Sequence, residues 1–448
     1  MPALHPTIIV GGGIAGLMCA RSLTQAGHDV VLYEREIEVG GRVRTTVRDG
    51  FRLDHGFQVL FSAYPVLTAA LDLPALQLRE FRPAAMLARP GHKPAVIGDA
   101  LADLSLLWPT IVAPQLSILD KLRMLQLRYL ATSLSFDECF ASRYDSRSTL
   151  EFLRQRGFTT NAITNFFAPF YGGILLDRSL QSSASVLLYT FKMLAEGRTT
   201  VPANGMGAIA IQIAGALPAG SVRTGVGVRS VVASGGTVQG VMLESGEMVP
   251  ASHVVLACDP PAIARLAATA SVHVAVPDAS LGCTTVYLRS RAPLLAGSAL
   301  WLNPATDATV SHAITISNVA PSYAPAGESL TAATVLGAAA ELPDDVLMRH
   351  VRGDLVAMSG NVGAGVAEHL QTWRVPYSQF VQRPGSVSRR VSVATGVSGL
   401  VVASEACHSS SLEGAARSGV AAAEVVLHEC QPMQMSASRY AARSAARS

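Results

Sequence analysis

Lysine is nearly missing from this chain. Of its 35 basic residues only Lys93, Lys121 and Lys192 are lysines, and none follows Lys192. Charged residues of both signs make up 15% of the 448 residues against 49% hydrophobic ones, and the net charge is +3. The basic residues are scattered rather than gathered into a stripe, which excludes a nucleic-acid footprint. The six cysteines (Cys19, Cys139, Cys258, Cys283, Cys407 and Cys430) include no C-x-x-C pair, so neither a disulfide scaffold nor a metal site is indicated. No uninterrupted apolar run reaches the roughly 18 residues of a membrane span. The opening MPALHPTIIVGGG lacks a charged n-region and a cleavage signature. The expectation is a cytoplasmic protein that buries much or binds something apolar, with contact at a membrane surface left open.

At 448 residues the chain exceeds a single small core, so two intimately joined domains are expected. Thr7 to Val10 is a short β-branched run, followed by Gly11-Gly12-Gly13-Ile14-Ala15-Gly16 and a helical pattern stopping at Gly27. His28 to Tyr33 reads as a second strand ending at Glu34. Gly11, Gly13 and Gly16 satisfy G-x-G-x-x-G. The first permits a tight turn, the second lets backbone N–H groups approach a pyrophosphate at the helix N-terminus, and the third permits close helix-to-strand packing. Glu34, with Arg35 beside it, stands where an acid accepts hydrogen bonds from ribose hydroxyls. A glycine-rich turn that binds nothing is the alternative.

Gly40-Gly41-Arg42 follows, with Arg44 close behind. A glycine pair lets the chain pass near a ligand, and arginines suit phosphate or flavin oxygens. Here the sequence resembles the FAD-binding start of the flavin-containing amine oxidase and phytoene desaturase superfamily. That resemblance implies FAD rather than NAD, and an α/β fold in which a discontinuous Rossmann-type FAD-binding domain (1–95, 196–270 and 385–448) carries an inserted α+β substrate-binding domain (96–195 and 271–384). It implies cofactor contacts at Gly11, Gly13, Ile14, Ala15, Gly16, Glu34, Arg35, Gly41 and Arg42.

Further expectations rest on the same resemblance. Asp54-His55-Gly56-Phe57-Gln58 occupies the place of an Asp-x-Gly-x stretch beside the isoalloxazine ring, which adds Gly56 and Phe57 and lets His55 and Gln58 face the flavin edge. His55 is a catalytic candidate, and a satisfied histidine outside the reaction is the equal alternative. Pro202 to Met206 matches a Pro-x-x-Gly-Met helix start. Val222 to Val228 reads as a strand, and Val228 is matched to the valine that lies against the adenine. Trp373 to Tyr377 resembles a Trp-x-x-x-Pro segment, one residue shorter, which makes Tyr377 the second catalytic candidate. Ser404-Glu405 replaces a Gly-Asp pair, with Glu405 meeting the ribityl or pyrophosphate region. Gly414 and Ala415 open a helix whose small residues bring its positive end to the flavin ring.

Residues 100–132 are leucine-rich, broken by Pro109 and Pro114, with Lys121, Arg123 and Arg128 between apolar positions. Helices packing within the substrate domain explain them, and a basic amphipathic face on a membrane is the sharper alternative. Aromatics near Gly172-Gly173 are core or the lining of a tunnel. The Ala/Ser/Arg tail after Met435 is expected to be mobile.

Many amine oxidases of the superfamily hold a late lysine near flavin N5 and an aromatic just before the C-terminal Glu-Gly-Ala. This chain has no lysine after Lys192, and Ser411 at the aromatic's position. The run Ser411 to Gly419 resembles the carotenoid desaturase branch, which favours dehydrogenation of an apolar, isoprenoid-like small molecule by an electron acceptor left undefined. Amine oxidation is the runner-up. A non-redox protein that binds prenylated or lipid partners is the reading from another class, and the complete Gly11, Gly13, Gly16 and Glu34 set argues against it.

Overall fold

The computed structural model describes residues 5–89, 91 and 93–445, with side chains described through Cys430. Thr7–Val10 is the centre of a five-stranded parallel sheet in the order Val222–Thr224, Val30–Glu34, Thr7–Val10, His253–Leu256, Leu400–Val402. Its central strands are apolar without polar alternation because both faces are covered. Ile8, Val10, Val254 and Leu256 pack on the Val228–Ser234/Thr237–Leu243 ribbon and the Pro260–Thr269 helix. Ile9, Leu32, Val255 and Val401 pack the other way, on the Ile14–Gln25 helix and the C-terminal helix. The two ends of the chain therefore build one layer.

The C-terminal helix, Leu412–Ala445, crosses the first helix at close range. A Cβ on Gly419 would stand 2.2 Å from the Ala15 carbonyl oxygen, so much of the helix's bareness serves this crossing. The expectation of a mobile tail falls on residues whose side chains lie outside the described set.

The strand expected over Val222 to Val228 is two strands. Val222–Thr224 pairs with the parallel sheet, while Val228–Ser234 opens the three-stranded meander with Thr237–Leu243 and Met248–Pro250. Gly225, at φ +71, turns the chain out of the first sheet into the second.

A mixed seven-stranded sheet forms the second layer, in the order Glu368–Phe380, Ser280–Ser290, Ser329–Leu336, Val310–Thr315, Leu300–Leu302, Ala84–Leu87, Ala95–Gly98. One face packs on the Asp344–Ser359 helix through Val286, Leu288, Ala333 and Val335. The alternate residues face the interior of the molecule. The expected domain boundary at residue 95 falls inside the Ala84–Gly98 hairpin, which pairs with Leu300–Leu302 in this sheet.

Helices from Leu107 to Glu196 form the wall opposite. Leu107–Val112 and Ile118–Ser133 stand on either side of the Ala113–Ser117 turn, with Pro109 inside the first and Pro114 between them. Among the described residues no helix is long and apolar enough to cross a membrane.

Candidate active site

The first strand ends in a turn that only glycine can make. Gly11 has φ +114, and a Cβ there would meet the Ala257 carbonyl oxygen at 2.5 Å. A Cβ on Gly16 would meet the Gly11 carbonyl oxygen at 2.0 Å, whereas Gly13 has nothing within 4 Å. Gly16 is thus bare for packing, and Gly13 is bare towards open space. No side chain caps the Ile14–Gln25 helix, so its first N–H groups keep their donors for something outside the chain. Glu34 closes the turn from the next strand: its Oε2 accepts the Gly12 N–H at 2.6 Å and its Oε1 accepts the Glu36 N–H at 2.9 Å.

The second glycine pair is braced on the first. The Gly40 N–H donates to the Gly12 carbonyl at 2.8 Å, and Gly41 lies against the Gly13 Cα. This turn aims Arg42 inward. Arg42 Nη1 donates to the Ser378 carbonyl at 2.8 Å, and Nη2 lies 2.7 Å from Glu405 Oε1. Glu405 is 5% exposed, and that oxygen still lacks an aligned hydrogen-bond donor. Burial alone would lower the Arg42 pKa, but the Glu405 carboxylate outweighs it and holds the guanidinium above its usual value. Tyr377 lies beside this pair, with its ring centroid 6.0 Å from the Arg42 guanidinium. Its hydroxyl is buried without a partner, and burial, with Glu405 second, raises its pKa and keeps the phenol neutral.

One cavity of about 1370 Å³ connects these groups to the apolar wall opposite. Ordinary small-ligand pockets span about 300–1,000 Å³, so the space suits a dinucleotide and a substrate together. Gly11, Gly13, Ile14, Ala15, Glu34, Arg35, Gly41, Arg42, Phe57, Val228, Tyr377, Glu405 and Ala415 all line it. Gly16, His55, Gly56 and Gly414 do not. His55 is stacked on Trp373 with centroids 3.9 Å apart, and its Nε2 is bonded to Thr46 Oγ1 at 2.8 Å. Burial, then the Arg44 charge, lowers its pKa to about 4, so it is a neutral brace of the Thr45–Arg48/Phe51–Asp54 hairpin. Gly414 is bare because a Cβ would stand 2.0 Å from the Ser409 carbonyl oxygen; of the two small residues, Ala415 alone reaches the cavity.

The same cavity includes an aromatic chamber lined by Phe57, Phe81, Phe166, Phe170, Tyr171, Tyr189 and Phe191. A π-type turn at Ile163–Phe167 leads into the Ala168–Ile174 helix, stacking Phe166 on Phe170 at 5.6 Å. The acids of the lining are already engaged or lie at the glycine end. Asp99 pairs with Arg128, Glu196 with Lys192, and Glu405 with Arg42. Ser411 accepts or shares a 3.3 Å hydrogen bond with Tyr189.

A profile of the family described as "Flavin containing amine oxidoreductase" matches residues 14–427. The chain belongs to this family. It is accordingly an oxidoreductase, and its cofactor is FAD. The residues present fit that cofactor: an uncapped helix N-terminus beside the open Gly13, the unpartnered Tyr377 hydroxyl beside the Arg42–Glu405 pair, and a cavity continuous between them. Two curated relatives share short stretches with this family member. One is a 15-cis-phytoene desaturase of Synechococcus elongatus, 43% identical over 13% of this chain and 12% of the relative. The other is a 4,4'-diaponeurosporene oxygenase of Staphylococcus aureus, 39% identical over 13% of this chain and 12% of the relative. The matches thus span about an eighth of those relatives' lengths. A solved putrescine oxidase with putrescine bound shares the fold at TM-score 0.70 and 18% identity, over 95% of this chain and 99% of the other.

Sequence reasoning missed two groups. Glu413 is fully buried and accepts the Val66 and Leu67 N–H groups at 3.1 and 3.0 Å while pairing with Arg417 at 2.8 Å, which ties the Pro65–Ala69 helix to the C-terminal one. An acid in the first turn of a helix was its only sequence signal. His312 and Thr334, in the chamber wall, gave none, because only sheet register brings them together.

Proposed function

We propose that this flavoprotein dehydrogenates an apolar, isoprenoid-like substrate, forming a carbon–carbon double bond. The observation that carries the reading is the aromatic chamber, which offers no unpaired carboxylate to a cationic amine and opens at the leucine-rich helices. Ser411 stands where a cage aromatic is expected for amine substrates, and no lysine follows Lys192. A phytoene desaturase among the partly matched relatives supports the same class.

In this reading the Gly11–Gly16 turn and the uncapped helix bind the pyrophosphate, Glu34 the adenosine ribose, and Val228 the adenine face. Arg42 and Glu405 fix the middle of the cofactor, and Ala415 brings the C-terminal helix near the ring. Residues 1–95, 196–270 and 385–448, apart from the Ala84–Gly98 hairpin, form the cofactor domain, and the rest forms the substrate domain. Bound FAD would supply a two-electron acceptor for a hydride from one carbon of the substrate, while the adjacent carbon loses a proton to solvent at the cavity mouth. The aromatic walls orient the substrate and exclude water. The neutral Tyr377 hydroxyl is placed to hydrogen-bond at the junction of the two regions, and no residue is assigned as a base.

The mouth of the cavity extends the reading to a membrane surface. Among the described residues, most exposed large hydrophobics lie between Leu101 and Tyr129: Leu104 is 79% exposed, Trp108 71% and Ile118 78%. Leu101, Leu107, Ile111 and Leu125 of the same patch line the cavity, so an apolar substrate passes from lipid to chamber without crossing water. A monomer of ordinary solubility does not keep so large a patch for itself. The test is incubation with an isoprenoid polyene in vesicles, followed by mass spectrometry. Loss of two hydrogens from the polyene supports the proposal, and turnover of amines with no change in the polyene defeats it.

A further inference from the structure

In the seven-stranded sheet, Trp373 pairs with Thr285, Thr285 with Thr334, and Thr334 with His312. Directly opposed residues share a face and stand about 5 Å apart, so these four form one polar row on the interior face of the sheet. Thr285 is satisfied: its Oγ1 accepts the Phe57 N–H at 3.1 Å. Trp373 Nε1 is buried without a hydrogen-bond partner and does not line the cavity; Thr334 Oγ1 and His312 Nδ1 are likewise unpartnered. Both residues line the cavity, and they are 3% and 5% exposed. Buried polar atoms are seldom left unpaired; His312 Nδ1 is turned to Gly173, so the unpaired atom that points to a partner outside the chain is Thr334 Oγ1, beside the ring edge that carries Nε2.

We propose that His312 and Thr334 form a subsite for a neutral, hydrogen-bond-accepting oxygen, a hydroxyl or carbonyl, carried by an otherwise apolar substrate. The inference rests on reading the aromatic chamber as the substrate site, and it adds that the substrate is an oxygenated lipid rather than a pure hydrocarbon or an amine. The sheet positions the imidazole against the bare Gly173: an added Cβ there would be 2.9 Å from Nδ1 and 3.4 Å from Cε1. Nδ1 thus faces helix backbone with no acceptor in reach, which leaves the proton on Nε2, the nitrogen turned away from Gly173. Nε2 is then the donor, and the Thr334 hydroxyl donates or accepts beside it.

Charge around the subsite selects against a cation. Arg178, held by the Asn303 and Ala305 carbonyls at 3.0 and 3.1 Å, acts on His312 electrostatically. Burial first and the Arg178 charge second lower the His312 pKa to about 4, so the ring is neutral in ordinary buffers. No carboxylate among the described residues is bonded to either side chain. An ammonium group brought here meets a guanidinium and no counter-charge.

The test is equilibrium binding to the FAD-loaded protein at fixed detergent concentration, with geranylgeraniol, the hydrocarbon carrying a methyl in place of its hydroxyl, and the corresponding amine. Wild type should prefer the alcohol over the hydrocarbon by roughly tenfold or more, since a site built for a hydroxyl rejects the analogue lacking it. His312→Leu and Thr334→Val should each cut that preference to below about threefold, His312→Gln should keep part of it, and the amine should bind more weakly than the alcohol. Flavin content and melting temperature report whether each variant folds, and Thr334→Val, being isosteric, keeps the test decisive if the histidine variants fail. Equal binding of alcohol and hydrocarbon by wild type, or an undiminished preference in folded variants, overturns the subsite while leaving the apolar chamber intact. Binding of neither neutral probe overturns both.

Discussion

Arg42 and Glu405 come from opposite ends of the chain and meet with Nη2 and Oε1 2.7 Å apart. Arg42→Leu leaves Glu405 buried as an unpaired charge. A fully buried pair broken this way costs about 3–5 kcal/mol; the Arg42 side chain is 34% exposed, so roughly 1–3 kcal/mol is expected. Urea unfolding of the apoprotein measures it. Glu405→Gln in the same background should recover most of the loss, and an Arg42→Leu variant as stable as wild type would show that the pair holds nothing together.

Gly13 and Gly16 separate binding from folding. A Cβ on Gly13 meets no protein atom within 4 Å, whereas one on Gly16 collides with the Gly11 carbonyl oxygen at 2.0 Å. Gly13→Leu should fold with near wild-type apoprotein stability and lose FAD affinity by on the order of 100-fold or more, and Gly16→Leu should be recovered poorly or unfolded. FAD titration and circular dichroism distinguish the two. Normal flavin retention in Gly13→Leu would place the pyrophosphate elsewhere.

Asp54 makes stability depend on pH in an unusual direction. Burial raises its pKa from 3.8 to about 6, in spite of hydrogen bonds from Thr45, Met206 and Tyr323. Between those values the folded state holds the proton more tightly than the unfolded one, so this term is fully present below about pH 4 and is lost as pH rises through 6. It amounts to on the order of 2–3 kcal/mol. His55 and His312, with pKa values lowered to about 4, act oppositely and destabilise as pH falls from 6.5. The difference between wild type and Asp54→Asn isolates the carboxyl: wild type should lose stability relative to the variant from pH 4 to 7. Parallel curves would mean that Asp54 is ionised when folded.

The exposed patch predicts vesicle binding. Leu104→Ser, Trp108→Ser and Ile118→Ser together remove three of its most exposed side chains, each contributing on the order of 1 kcal/mol or more when buried in lipid. Co-sedimentation with phospholipid vesicles should fall at least tenfold while FAD content is unchanged. Equal sedimentation of wild type and triple variant, or none by wild type, argues against the membrane surface.

The local fold of Thr7 to Glu34 was legible because its signals are local. Thr7 to Glu34 sets strand, turn, helix, strand and acid in one unbroken run, and each residue type answers a steric or electrostatic need of its neighbour. Val228 and Glu405 could be located only through the resemblance, since their positions depend on strands that pair far along the chain. The Ala84–Gly98 hairpin was misplaced for the same reason: its partner is the three-residue strand Leu300–Leu302, too short to announce itself. Gly414 showed the opposite failure, because a bare position can face a ligand or a carbonyl, and sequence does not say which. The row that ends in Thr334 and His312 is a product of register across four strands, and no periodicity in any one strand marks it.

The most direct measurement is the visible absorption spectrum of the purified protein, taken before and after anaerobic addition of an isoprenoid polyene and, separately, of primary and secondary amines. The account predicts oxidised flavin bands that bleach with the polyene and persist with the amines. Bleaching by amines alone would contradict it, and so would a protein that remains colourless after FAD is added.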